Sequence, residues 1–256
     1  MTTRAWWLVE AQLRRYKHTW RSTAASTMVL PLLLLLVPGL GVGRLVDASH
    51  SLGSLRYLNF IAPAVVAGVA MQVALAEATM PVFAGIRITR TTQATLATPI
   101  TPGDLVDGYL SWILLRTLST CAVLVVVAQA LRAVPLSACV PLLAVAALTA
   151  LAHAPLLLAF TVRQQDGYTL AAAGRVLVLP ALFGAGTFLP THLLPSGLAA
   201  VSRLTPLWHG VQLCRGAVGI ATLSPAAVAV HLVVLLGYAA GGYAVARRTF
   251  RRRLVP

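Results

Sequence analysis

The chain opens on a segment of mixed pattern. Between residues 4 and 21, Trp6, Val9, Leu13, Tyr16 and Trp20 recur at helical spacing on one stripe. Glu10, Arg14, Lys17 and Arg21 form a second stripe beside it. Aromatics flanked by cations predict an amphipathic helix lying in a membrane interface; the plainer alternative is a solvated tail. Long apolar runs follow. They are expected over Ala24 to Val42, Leu58 to Val82, Thr101 to Leu131, Leu136 to Val162, Tyr168 to Leu189 and Pro225 to Ala246. Each suffices to cross a hydrocarbon core of about 30 Å at about 1.5 Å per residue. Pro190 to Ser224 is broken by prolines and polar residues. Its two helical candidates, Ser196 to Arg203 and Leu207 to Val218, are too short to cross and predict a half-inserted hairpin. The fold class expected is all-α: a polytopic membrane protein with six transmembrane helices. It is a single transmembrane domain over 1–256, with an interfacial helix in 1–23, a core in 24–246 and a basic tail in 247–256.

One polar island interrupts this pattern. Phe83 to Gly108 reads FAGIRITRTTQATLATPITPGDLVDG and lies between the second and third runs. Within it, Thr101-Pro102-Gly103-Asp104 predicts a helix start. Thr101 caps, Pro102 suits the first helical position, and Asp104 completes a capping box.

Composition agrees with a membrane protein: 58% of residues are hydrophobic and 10% are charged, against about 25% charged in soluble domains. The net charge of +14 does not indicate nucleic acid, because the cations sit at the ends of apolar runs. With six spans and the termini inside, 14 Lys and Arg fall on the inner side and 5 on the outer. The positive-inside rule then places both termini and the polar island in the cytoplasm and the hairpin outside. No cleavable signal peptide is evident.

Several chemistries are excluded. The single lysine, Lys17, follows no glycine-rich loop, so the chain has no phosphate-binding P-loop. Cys121, Cys139 and Cys214 have no paired spacing for zinc or disulfides. No nucleophile elbow, zinc-protease motif or carboxylate cluster with metal spacing is present. No catalytic residue, metal or cofactor is expected on this chain. His153 and His231 read as hydrogen-bonded interior residues, and Gly237 with Gly241 as a small-residue packing pair.

Two charges cannot be placed in loops. Glu77 lies about two turns from the inner end of its run and Arg116 about three turns into the next. Matched depth on consecutive helices predicts a polar pair that lowers the cost of burying either. The alternative is an Arg116 that snorkels and a Glu77 facing a watery crevice.

Two stretches carry a family resemblance. FAGIRITRTTQATLATPITPGDLVDGYLSWILLRTL resembles the first cytoplasmic loop and third span of ABC-2 type transporter permeases. The likeness is strongest to the bacterial branch with nodulation-factor and daunorubicin-type exporters. Its carriers are Glu77, Arg90 with Thr91, the run Leu96 to Pro99, and Asp104. FGAGTFLPTHLLPSGLAAVSRLTPLWHGVQLCRGAV looks like the family's external hairpin, through Phe188, Pro190, Pro195, Pro206, His209 and Arg215. One departure is a loop rich in Thr and poor in Glu and Lys.

The resemblance implies a permease subunit of an ATP-driven exporter in a bacterial cell membrane. A second permease chain would pair with it, as homodimer or related heterodimer, surrounded by membrane lipid. An ATP-binding cassette subunit would supply ATP and Mg. A coupling helix over Thr91 to Thr98 would meet that subunit through Arg87, Arg90, Thr91, Thr92, Gln93, Leu96 and Thr98. The expected cargo is a lipophilic or amphipathic drug or antibiotic, which would mean multidrug efflux; the alternative is a lipid-linked glycan or glycolipid. A stand-alone secondary transporter would want midplane charges and repeats, and an intramembrane enzyme would want a site; neither is visible. The coupling region would otherwise be an inert loop.

Overall fold

A computed structural model describes residues 3–48, 55–188 and 195–254, and the described residues form helices without strands. Helix α1 runs unbroken from Thr3 to Leu36. The segment expected as a separate interfacial helix is therefore continuous with the first apolar run. Pro38 lacks the N–H that an α turn would use, and the chain widens there into a π-helical segment, Val37–Val42, before α2 (Gly43–Ala48). The span-like stretch is accordingly Pro31–Ala48, displaced toward the C-terminus from the expected Ala24 to Val42.

Helix α3 (Tyr57–Ala78) is the most enclosed: 83% of its spanning stretch is buried, against 17% for the last helix. Short α4 (Met80–Phe83) and a second π-helical segment, Ala84–Ile88, extend it. Then come α5 (Thr91–Leu96), α6 (Pro102–Ala130), α7 (Cys139–Thr161), α8 (Gly167–Gly184), α9 (Ser196–Arg203), α10 (Pro206–Ala217) and α11 (Pro225–Leu254). Helix α7 packs against α3, α6, α10 and α11, while α1 lies mainly along α6. One apolar core joins them, with Leu58, Ile61, Val66, Ile113, Leu142 and Leu158 fully enclosed.

Five helices among the described residues are long and apolar enough to cross a membrane. The fifth expected span, Tyr168 to Leu189, is the one left out; it corresponds to α8, which has 18 residues, about 27 Å at 1.5 Å per residue. It packs on the edge of the bundle, touching α3, α4, α9 and α10. The chain is a multi-pass membrane protein. Gly237 and Gly241 meet open space rather than a neighbouring helix.

Candidate coupling site

The polar island is mostly structured. Helix α3 breaks at Thr79 (φ −103°, ψ −93°), two residues before Pro81, which brings no N–H. The Thr79 N–H and hydroxyl both donate to the Leu75 carbonyl, at 3.1 and 2.7 Å. Beyond α4 the wide turn closes when the Thr89 N–H reaches the Ala84 carbonyl at 2.8 Å. Arg87 and Arg90 are exposed on this approach. Arg90 adopts a left-handed backbone (φ 52°) as it turns the chain into α5, a conformation that costs any residue other than glycine.

Polar side chains fix α5 in place. Gln93 Nε2 donates to the Ile86 carbonyl at 2.8 Å, and Thr95 Oγ1 to the Thr91 carbonyl at 2.8 Å. Buried Thr92 meets the Tyr109 hydroxyl at 3.4 Å, and Leu96 packs on the core. Gln93, Ala94 and Thr98 face outward, so α5 has an anchored face and a presented one. The helix ends at Leu96; Thr98 lies in the turn that follows, its hydroxyl donating to the Thr95 carbonyl at 2.6 Å. Threonine is a poor helix former because its hydroxyl competes for backbone partners. Here those bonds pin a short helix instead.

Helix α6 starts on the expected capping box. The Asp104 N–H donates to Thr101 Oγ1 at 3.2 Å, and the Thr101 N–H donates to Asp104 Oδ2 at 3.0 Å. One turn on, Asp107 Oδ1 accepts from the Tyr243 hydroxyl at 2.7 Å, and Asp107 Oδ2 lies 3.8 Å from Arg247 Nη2. Tyr109 packs near Phe250, with ring centres 6.3 Å apart. The start of α6 is thus braced by the end of α11. On its other side is α1: a β-carbon on Gly108 would sit 2.6 Å from Leu8. A cleft between α1 and α5 is lined by Leu8, Gln12, Arg15, Thr92 and Tyr109.

Deeper in the bundle, Arg116 Nε donates to Glu77 Oε1 at 3.1 Å, and Trp112 Nε1 donates to Glu77 Oε2 at 2.9 Å. The Arg116 guanidinium lies 4.6 Å from the centre of the Tyr16 ring, which meets Trp112 edge-on at 5.9 Å. Three helices converge here: α1 through Tyr16, α3 through Glu77, and α6 through Trp112 and Arg116. Both charged side chains are largely withdrawn from solvent, at 5% and 16% exposure. Each carboxylate oxygen has its own donor, and the cation has an aromatic face, so neither charge is stranded.

The hairpin residues lie elsewhere, at the end of the bundle away from α5. Pro206 is the first residue of α10, and Thr205 caps it by accepting from the Trp208 N–H at 3.4 Å. His209 Nδ1 is 2.7 Å from Nδ1 of His231 on α11, and its Nε2 is 3.0 Å from the Arg203 carbonyl. Arg215 is buried, donates to the Gly186 carbonyl at 2.6 Å and stacks 4.0 Å over Phe60. The Phe188 carbonyl accepts from the Tyr57 hydroxyl at 3.0 Å. Pro195 immediately precedes α9, and Pro190 lies outside the described residues. His153 Nδ1 sits 2.7 Å from the Thr149 carbonyl in its own helix.

Sequence comparison decides the family. The ABC-2 type transporter family model matches residues 3–218. The chain belongs to the ABC-2 type transporter family. Within it, Nodulation protein J of Rhizobium meliloti (strain 1021) is 29% identical over 255 residues, covering 98% of this chain and 95% of the relative. Nodulation protein J of Sinorhizobium fredii (strain NBRC 101917 / NGR234) is 29% identical over 254 residues, 97% of this chain and 95% of that one. The protein of that name from Rhizobium leguminosarum bv. trifolii is 30% identical over 206 residues, 79% of this chain and 78% of that one. ABC-2 membership describes a transporter membrane component rather than an enzyme.

Sequence reasoning missed Tyr16 and Trp112 as neighbours of the charged pair, and Asp107, Tyr243 and Arg247 as the brace. Trp112 and Arg116 are four apart on one helix face, which was a usable signal. The α6–α11 contact spans 136 residues of sequence and left none.

Proposed function

We propose that this chain is the permease subunit of an ATP-driven ABC-2 type exporter. It would form the pathway for a lipophilic or amphipathic compound across a bacterial cell membrane. The observation that carries the reading is α5. Thr92 on its inner face meets Tyr109 of α6, and its exposed face carries Ala94, with exposed Arg87, Arg90 and Thr98 beside it. A short turn leads from it to the capped start of α6.

Members of this family work with an ATP-binding cassette subunit. In this reading ATP and Mg sit on that partner, and α5 rests in a groove of its surface, with Arg87 and Arg90 meeting acidic groups there. Two permease chains, identical or related, pair in the bilayer. Both termini and α5 face the cytoplasm, as the positive-inside count supports. Closure of the ATPase dimer pushes α5. The movement then enters α6 through the Thr101–Asp104 box and α3 through Ala84–Ile88, and it reaches the Glu77–Arg116 latch.

The relatives are named for nodulation, and nothing in those names supports a drug or antibiotic cargo, multidrug efflux or antibiotic resistance. An amphipathic cargo such as a lipid-linked glycan or glycolipid is the reading we favour.

The test is reconstitution in proteoliposomes with a candidate ATP-binding cassette ATPase. Arg90→Ala with Leu96→Ala should leave expression intact and lower cargo-stimulated ATP hydrolysis about tenfold. Unchanged cargo-stimulated hydrolysis would remove α5 from the coupling role.

A further inference from the structure

We infer that the last turns of α11 hold anionic phospholipid head groups. The outward face of this helix is continuous. Val233, Gly237, Ala240, Ala244, Arg247 and Arg251 follow one another at steps of three and four residues, and all are exposed. The opposite face turns inward through Leu235, Gly242, Ala246 and Phe250. An apolar stripe thus becomes a cationic one without leaving the face.

The change comes at a definite height. From Pro225 to Arg247 the helix advances about 33 Å at about 1.5 Å per residue, just beyond a hydrocarbon core of about 30 Å. Five arginines then fall within the seven residues from Arg247 to Arg253. Arg248 lines two depressions, of about 420 and 380 Å³. Arg247 and Arg251 share the first, against Thr101 to Gly103 at the start of α6. Arg252 and Arg253 share the second with Arg163, whose Nη2 donates to Thr249 Oγ1 at 3.2 Å. No carboxylate lines either depression. Among the described residues Asp107 lies 3.8 Å from Arg247, and no carboxylate pairs with Arg248, Arg251, Arg252 or Arg253.

These features specify a ligand. A free phosphate or an acidic protein surface answers the cations and leaves the apolar stripe of the same face uncovered. A second copy of the chain, related by a two-fold axis along the membrane normal, would set two groups of arginines against each other. An anionic phospholipid answers both parts. Its acyl chains lie along Val233 to Ala244, and its phosphate reaches the height of the arginines, where anionic head groups attract basic clusters. The site needs a chain that crosses a membrane and nothing of the coupling role of α5.

The test uses the full-length chain in nanodiscs of equal parts phosphatidylglycerol and phosphatidylcholine, with retained lipids read by native mass spectrometry. Phosphatidylglycerol should be retained over phosphatidylcholine by about twentyfold, the effect of two or more arginines near one phosphate. Arg248→Gln with Arg252→Gln should lower that preference at least about fivefold. Arg248→Lys with Arg252→Lys keeps the charge and should keep most of the preference. Arg44→Gln with Arg203→Gln removes the same charge at the opposite end of the bundle and should leave the preference unchanged. Equal retention of the two lipids by the unaltered chain overturns the site. So does a preference that falls as far in the Arg44 and Arg203 variant as in the Arg248 and Arg252 variant. If the unaltered chain shows no preference, and the Arg248 and Arg252 variant instead loses binding of an ATP-binding cassette subunit, the cations serve that subunit and the lipid assignment falls.

Discussion

Arg116 and Glu77 lie on different helices, yet their side chains meet at 3.1 Å in the interior of the bundle. Trp112 holds the second carboxylate oxygen, so position 77 needs an acceptor and not merely a charge. Exchanging the pair, Glu77→Arg with Arg116→Glu, would aim a guanidinium at the Trp112 N–H. The exchange is expected to fail even though the pair is real. Arg116→Met alone should cost about 3 kcal/mol by leaving a carboxylate under-compensated. Arg116→Met with Glu77→Leu should recover much of that. Thermal unfolding in detergent, compared across the single and double variants, measures the interaction directly.

Arg90 separates backbone shape from charge. Its left-handed conformation suits glycine. Arg90→Gly should therefore keep or raise stability, by up to about 1 kcal/mol, while removing the cation proposed to meet the ATPase. A melting temperature that holds while cargo-stimulated hydrolysis falls would assign the residue to docking. A fall in both would assign it to the turn.

The brace between α6 and α11 rests on a hydroxyl and a longer ion pair. Tyr243→Phe should destabilise by about 1 kcal/mol, the net value of one hydrogen bond. Arg247→Gln should do less, because its contact with Asp107 is long and nearly half exposed. Cysteine cross-linking between the start of α6 and the end of α11 would report whether the two move together in each variant.

Asp166 gives a pH signature outside the spanning helices. The Thr169 N–H, and then its hydroxyl, hold the carboxyl below its ordinary value of 3.8. A depressed folded-state value means that the cap contributes fully above that ordinary value. Its contribution is lost as pH falls through the lower one. Amide exchange in the first turn of α8, corrected for intrinsic rate, should be flat from neutral pH down to about 4 and rise below it. Asp166→Asn should cap at all these values and flatten the profile.

Much of this was legible in the chain. The capped start of α6 follows from four consecutive residues, and matched depth along two helices pointed to Glu77 and Arg116. Local spacing carries such information because a helix has one period. The unbroken α1 was not legible: the mixed segment of residues 4–21 and the apolar run after it differ in pattern and read as two elements, yet one helix, Thr3–Leu36, carries both. Nor was the His209–His231 contact, which depends on how α10 docks against α11. Side chains on separate elements meet only once packing is settled, and packing of uniformly apolar helices is weakly encoded by pattern.

The π-helical segment Ala84–Ile88 gives the approach to α5 a spare residue. A five-residue hydrogen-bonded ring holds one residue more than the α ring it replaces. Tightening it to α geometry would advance the axis by about 1.5 Å and rotate everything beyond by about 100°. The connection between α3 and α5 thus carries one residue of slack already wound into it.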